Sequence, residues 1–461
     1  MSSLPHPAAD GTTSAPPSAC PAHSSPVRLS SSLLLGEVTD LYEQWREQFG
    51  PVVPVQLDGV PAQLVIDHQA LLKVCREESV FTPDSRQWTE LREGRVPADW
   101  PWLPQVAHSP GNARLATGDE HRRLRSVLSS GLAQADAASV RRYVVWAADR
   151  LINQFSRTGR ADIVADYAKP LPMLVMLRLL GLDHSTGEVL LHSIYRLLEG
   201  GADARDASEE INGLLDGLVS DRRDRPARDL MSWLIHGPVD VGSPLTDLEV
   251  RNLAWLTVVA GAGGCTGWIS NVMEQLLRSD DLRSPLLAGQ ISIAEIMIGT
   301  HRTNPAVQNV LGRFPQRDIA AGELGSSKAG GNRAVIPRGT LMILGLAGAN
   351  ADLGASGEYH FAFGAGAHEC PTGAQRLARV ITQAAIDRLW TRCRNLRLED
   401  DDDSVQWGGS VILRQLDVLQ ARFTVAQQAV DPGTSTPTEL RSSHAFFPPA
   451  MLTRLTSGRA D

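Results

Sequence analysis

A mainly helical chain carrying small β-sheets, an α+β architecture, is what this sequence predicts. Three observations carry that reading. Apolar residues recur at helical spacing over roughly 137–157, 161–181, 185–199, 206–222 and 226–236. Thr246-Asp-Leu-Glu249 is a capping box ahead of an apolar run to about Ser279, a helix about 50 Å long at 1.5 Å per residue. Stretches that alternate or are rich in β-branched residues are few and short.

At 461 residues the chain could hold two or three domains, but the helical pattern runs without a linker and predicts one large unit. Its apolar and charged fractions, 43% and 21%, are those of a globular protein. A formal charge of -8 leaves no basic stripe to neutralise phosphates, so nucleic acid is not an expected partner. The cysteines at 20, 75, 265, 370 and 393 are scattered, with no Cys-x-x-Cys pair. That suits a reducing cytoplasm with no disulfide framework or zinc site. No uninterrupted run of 18 apolar residues and no N-terminal apolar region is seen, so the expectation is a soluble cytoplasmic protein without a membrane anchor.

In order along the chain, residues 1–28 are rich in Pro, Ser, Ala and Thr and are predicted to be a disordered tail. The organised part is expected to span 29–428, and 429–461 returns to a poorly ordered, Pro/Ser/Thr-rich composition. A short helix is predicted from Leu35. Val52–Leu57 and Ala62–Asp67 read as two strands about an Asp58-Gly59 turn, followed by a helix at about 68–77. The irregular stretch from Phe81 to Asn112 carries Trp88, Trp100 and Trp102, which either line a pocket or simply pack. The next helix opens at Asp119, and His121 and Arg125, four apart, share a face. The 161–181 helix should break at its prolines. Within the long apolar run, Val258-Val-Ala-Gly-Ala-Gly-Gly-Cys-Thr-Gly267 is poor in helix propensity. Small residues there allow either something flat or another helix to come close. A helix over 291–302 ends before Pro305, strands follow at 309–314 and 334–344 with a turn at Pro337–Gly339, and a hairpin is predicted from Val411-Ile-Leu413 and Leu416–Thr424. The acidic run Glu399–Asp403 reads as a solvated loop.

The most informative stretch is Phe361-Ala-Phe-Gly-Ala-Gly-Ala-His-Glu-Cys370 with Pro371 after it. Gly364 and Gly366 allow positive φ and close approach. Leu377, Ile381, Ala384 and Leu389 recur at helical spacing, so a helix should start just after Pro371. Cys370 then stands at a helix N-terminus, where unpaired N–H groups would favour a thiolate able to ligate a metal.

Phe-Gly-x-Gly-x-His-x-Cys resembles the haem-binding loop of the cytochrome P450 superfamily. From about 35 to 425 the order of landmarks is similar to that of a bacterial soluble member, close to an actinobacterial subset that lacks the family's Glu-x-x-Arg pair. The resemblance implies a cytochrome P450 fold over 29–428, with the long central helix over haem b (iron protoporphyrin IX). Cys370 would be the axial metal ligand. His121, Arg125, Arg313 and His368 would contact the propionates, Phe363 would shield the sulfur, and Gly364, Gly373 and Ala260 would border the macrocycle. The family's proton-delivering acid–threonine pair falls on Gly263 and Gly264, with Thr266 a nearby hydroxyl that a helix turns elsewhere; these three are the candidate catalytic positions. The Glu-x-x-Arg register holds Ile298-Gly-Thr-His301, the segment between Asn350 and Phe361 is short, and Thr372 replaces the family's glycine.

The implied activity is a monooxygenase of secondary metabolism that inserts one oxygen atom from O2 into a hydrophobic small molecule. Electrons would come from a ferredoxin and ferredoxin reductase. The alternative is a catalytically impaired relative, with or without haem, serving as helper or scaffold for a partner protein. The family's pocket walls correspond here to the loop 81–105, the helices near 165–200, Val259–Gly264, Pro305–Val307 and Ser410–Ile412.

Overall fold

In the computed structural model, residues 25–35, 38–183, 186–187, 189–190, 192–194, 204–237, 242–320, 322–325, 335–352, 359–399 and 404–425 are described. Residues 1–24 of the tail expected at 1–28, the tail expected at 429–461 and the acidic residues 400–403 lie outside them, as does part of the helix expected at 185–199. The first strand, β1 (Val27–Leu29), runs parallel to β2 (Val52–Leu57). Val27 and Arg28 therefore belong to a sheet rather than to the predicted tail, because Leu29 buries its side chain in the sheet core.

β2 and β3 (Val60–Val65) form the hairpin that Asp58-Gly59 predicts, with both turn residues at positive φ, 45° and 81°. The sheet is completed by β4 (Phe81–Thr82), β6 (Asn309–Pro315) and β7 (Met342–Gly345), in the order β1-β2-β3-β7-β6-β4. The second sheet orders β5 (Arg160–Asp162), β10 (Arg414–Val425) and β8 (Cys393–Leu398), with β9 (Val405–Gly409) on β10. The terminal hairpin is thus β9–β10, and Val411–Leu413 form its turn. Ser410 Oγ accepts the N–H groups of Ile412 and Leu413, which overrides their β-branched strand signal.

The helices follow the apolar periodicity: α1 (Thr39–Phe49), α2 (His68–Arg76), α3 (Gly118–Ala133), α4 (Ala137–Phe155), α5 (Pro170–Leu180), α6 (Ala204–Asp224), α7 (Leu230–His236), α8 (Asp247–Arg278), α9 (Asp280–Leu287), α10 (Ile293–Thr303), α11 (Leu346–Asp352) and α12 (Thr372–Arg392). Their starts are set by side chains that accept orphan N–H groups. Asp67, Asp136 and Asp229 cap α2, α4 and α7, and Thr246/Glu249 and Ser292/Glu295 form full capping boxes on α8 and α10. The 161–181 segment divides into β5, a π-turn at Val164–Ala168 and α5, whose Pro170 occupies a first-turn position that needs no N–H.

α8 spans 32 residues, about 48 Å. By length and apolar composition it could cross a membrane, but 56% of the relevant window is buried inside the protein. It serves as the central beam, packed against α5, α10, α12 and β10. Trp88, Trp100 and Phe314 stack together in the sheet core, with ring centroids 5.6 and 5.7 Å apart from Trp88, and Trp100 Nε1 donates to Leu57 O at 3.1 Å. The tryptophans of the irregular segment are therefore packing residues.

Candidate haem-thiolate site

The Phe361–Cys370 loop leaves the sheet side of the protein and delivers the chain to α12. Gly364 and Gly366 both take positive φ, 75° and 71°. At Gly366 the requirement is also steric, since a Cβ there would lie 2.2 Å from the Cys75 carbonyl oxygen at the end of α2. The loop closes on itself through Gly364 N–H to Phe361 O at 2.7 Å and Cys370 N–H to Phe363 O at 2.8 Å. Gln375 on the first turn of α12 donates to the Cys370 carbonyl at 2.9 Å and to Glu369 Oε1 at 3.0 Å. Helix α12 starts at Thr372 with Pro371 as its N-cap.

Cys370 opens into a cavity of about 320 Å³, within the ~300–1,000 Å³ range of small-molecule sites. One wall is the loop itself, with Phe363, Gly364, Ala365 and Ala374. α8 lines the same cavity at Ala260, Gly261 and Gly264. Both readings of the small-residue stretch hold, at different positions. A Cβ on Gly261 would meet Met176 Sδ at 2.8 Å and one on Gly267 would meet Ala306 Cβ at 2.8 Å, so those two serve helix and loop packing. A Cβ on Gly264 would meet nothing within 4 Å among the described residues, and this glycine lines the cavity. Gly263 turns toward Leu413 Cδ1, 3.3 Å from its would-be Cβ. Thr266 donates its hydroxyl to Ala168 O at 3.0 Å and is buried away from the cavity.

One edge of the cavity is cationic. Arg125, Arg313 and His368 line it, and His121 stacks on His368 with ring centroids 3.9 Å apart. Arg114 lines the same edge, donating to Leu311 O at 3.3 Å and to Gln105 O. Burial and the neighbouring Arg313 push its guanidinium down to about 10. Burial, together with His368, likewise pushes His121 down to about 4, so it is a neutral donor near pH 7. Glu78 Oε1 lies 2.5 Å from His368 Nε2, and this contact holds the Glu78 carboxyl below its usual range. Glu78, His121 and His368 bring potential ligand atoms within 4.8 Å of one another. Among the described residues, Arg313 Nε and His368 Nδ1 are buried without a hydrogen-bond partner.

These features fit an iron porphyrin: a cysteine sulfur, glycine and alanine along a largely apolar cavity, and at one edge arginines, one with a buried unpaired Nε–H, for two acid groups. The Cys370 sulfur differs from expectation in one respect. Burial pushes its thiol up to about 11, with Arg125 pulling the other way, so the helix N-terminus does not by itself produce a thiolate. A bound metal cation would replace that proton.

Of the candidate residues, Cys370, Phe363, Gly364, His368, Arg125, Arg313, Ala260 and Gly264 line one cavity, and His121 joins them through His368. Gly263 and Thr266 face elsewhere. Gly373 packs against α3, where a Cβ would lie 3.0 Å from Leu132, and does not border the cavity. Arg114, Glu78, Trp268 and His301 escaped sequence reasoning as site residues. Only His301 left a signal, through the altered register Ile298-Gly-Thr-His301. Burial keeps its imidazole well below the usual range, hence neutral.

No family model matches the chain. It is 27% identical over 315 residues to the polyketide biosynthesis cytochrome P450 PksS of Bacillus subtilis, covering 65% of this chain and 75% of that protein. It is 27% identical over 360 residues to the cytochrome P450 monooxygenase PikC of Streptomyces venezuelae, covering 74% and 83%. Among solved structures, CYP154A1 of Streptomyces coelicolor A3(2) superposes with a TM-score of 0.70 at 25% identity, covering 86% of this chain and all of that one.

Proposed function

Since this chain belongs to the cytochrome P450 superfamily, we propose that it is a cytoplasmic haem-thiolate monooxygenase acting on a hydrophobic small molecule of secondary metabolism. The single observation that carries the reading is that Cys370 and Gly264 line one largely apolar cavity together with Arg125, Arg313 and His368. Haem b, when bound, would supply activation of O2 for insertion of one oxygen atom into the substrate, with electrons from a ferredoxin and its reductase. The chain's own residues hold and surround it. Cys370 provides the ligand sulfur, Arg313, His368, Arg125 and Arg114 hold the acid groups, and His121 supports His368. The remaining walls include Leu256 of α8 with Met176, Leu179, Val307 and Val310, which exclude water and favour an apolar substrate. Among the described lining residues the one hydroxyl, on Thr257, donates to Leu253 O at 2.8 Å.

The helper alternative draws on the empty space at Gly264, where no side chain can hold a proton for the reaction. One experiment separates the two. The purified protein, reconstituted with haem and reduced under carbon monoxide, should show the red-shifted Soret band of thiolate ligation, and Cys370→Ser should lose it. A protein that takes up no haem defeats the monooxygenase reading.

A further inference from the structure

Beside the Cys370 loop, residues from four helices meet, and two of them, Trp268 and His301, also line the cavity. Trp268 of α8 stacks on His301 of α10 with ring centroids 3.5 Å apart and planes 16° from parallel, and its indole N–H donates to Met297 O at 3.0 Å. Both rings then meet Phe363 of the loop edge-on, at 5.0 Å from His301 and 6.0 Å from Trp268. Arg379 of α12 lies over the Phe363 ring at 5.3 Å. A second link is polar: Asn350 of α11 donates to the His301 carbonyl at 3.2 Å and accepts the Phe361 N–H at 2.7 Å. Trp268, His301, Asn350 and Phe361 are all buried.

Each link constrains something the loop needs. Phe363 carries the carbonyl that accepts the Cys370 N–H, so the orientation of its ring and that of the cysteine are joined by one hydrogen bond. Asn350 uses both ends of its amide, one on the helix and one on the loop, which fixes the distance between them. Ile298, three residues before His301, is 51% exposed and contributes nothing to this contact. Thr300 of that turn is also buried, but its hydroxyl donates to Ile296 O and Gln275 Oε1, so His301 is the residue of the turn that meets the loop.

We propose that Trp268, His301 and Asn350 are positioning residues, an aromatic and amide brace that fixes the Phe361–Cys370 loop and thereby aims the Cys370 sulfur. The brace stands where the chain has no Glu-x-x-Arg ion pair. Only its consequence at the metal rests on the haem-thiolate reading; the fixing of the loop does not.

The test compares the full-length wild type with His301→Ala, His301→Phe and Asn350→Ala. Amide hydrogen exchange without haem reports the loop directly. Exchange over 361–371 should quicken about tenfold or more in His301→Ala and Asn350→Ala, with the β2–β3 hairpin unchanged. His301→Phe, which keeps a flat ring on Trp268, should stay within about twofold of wild type. In the haem-loaded, reduced and carbon monoxide-treated proteins, His301→Ala should lose more than half of the red-shifted thiolate band and His301→Phe should recover it. Unchanged loop exchange in His301→Ala, or exchange that quickens evenly over the whole chain, overturns the brace. Should His301→Ala fail to fold, Asn350→Ala against His301→Phe decides by the same criteria. A wild type that takes up no haem defeats the haem-thiolate reading, while loop exchange still decides the brace.

Discussion

The Thr266 hydroxyl donates to the Ala168 carbonyl at 3.0 Å, which commits the one hydroxyl between Gly263 and Gly267 to packing α8 against the π-turn before α5. Thr266→Val should therefore cost about 1–3 kcal/mol of stability, because a buried carbonyl loses its partner, and should leave turnover of the loaded enzyme intact. Gly264→Thr should behave in the opposite way. Its side chain enters open space facing the cavity, so the thermal midpoint should move little, a change of about 1 kcal/mol or less. The new hydroxyl should raise product formed per NAD(P)H consumed several-fold, as expected when a proton donor comes within reach. Loss of turnover in Thr266→Val with no gain in Gly264→Thr would reverse these assignments.

Gly364 and Gly366 share a backbone conformation but not surroundings. An alanine at either pays for positive φ, about 1–3 kcal/mol. At Gly366 the added Cβ also collides with the Cys75 carbonyl, whereas at Gly364 its nearest neighbour would be 3.8 Å away. Gly366→Ala should thus be the less stable of the two by a further 1–3 kcal/mol or so, read as the difference in urea midpoint at equal m-value. Equal midpoints would mean that α2 moves aside without cost.

Much of this site was legible because it is local. Two glycines, a histidine and a cysteine within one short loop, followed by helical spacing, located the Cys370 turn and the start of α12. The four-residue spacing of His121 and Arg125 put both on the cavity side of α3. What was hidden depends on distant chain. Arg114 and Glu78 come from irregular segments with no period to read, and Asn350 acts only because α10 and the loop at Phe361 fold to either side of it. The terminal hairpin was misplaced for a local reason. Ser410 turns the chain at Val411–Leu413, while the true partner strand ends in Gly408-Gly409, which weakens its β signal. At Cys370 two effects compete: a helix terminus offers about 0.3–1 kcal/mol toward a thiolate, and burial of the unliganded sulfur outweighs it, so the expected thiolate depends on a bound metal.

Acid stability depends on Glu249. Glu249 closes the capping box of α8 through Thr246 and pairs with Arg123 of α3. Burial alone would raise its carboxyl, but Arg123 and the Thr246 N–H and hydroxyl outweigh that and hold it below the usual range. The unfolded chain therefore binds this proton more readily than the folded one. The stabilisation is present above the ordinary glutamate value of about 4.3 and is lost as pH falls through the lower folded value. Glu249→Gln removes the charge and should cost about 1–3 kcal/mol at pH 7, where it leaves Arg123 without its partner. Its stability curve should converge with that of wild type in acid. Urea unfolding of both proteins from neutral to acidic pH checks this, and curves that stay parallel throughout would show that the pair contributes no proton linkage. The consequence reaches the cavity, because the Glu249 backbone abuts Gly111, where a Cβ would lie 2.6 Å from its Cα. That contact seats the turn leading to Arg114, so the loss of the pair should also weaken haem retention at neutral pH.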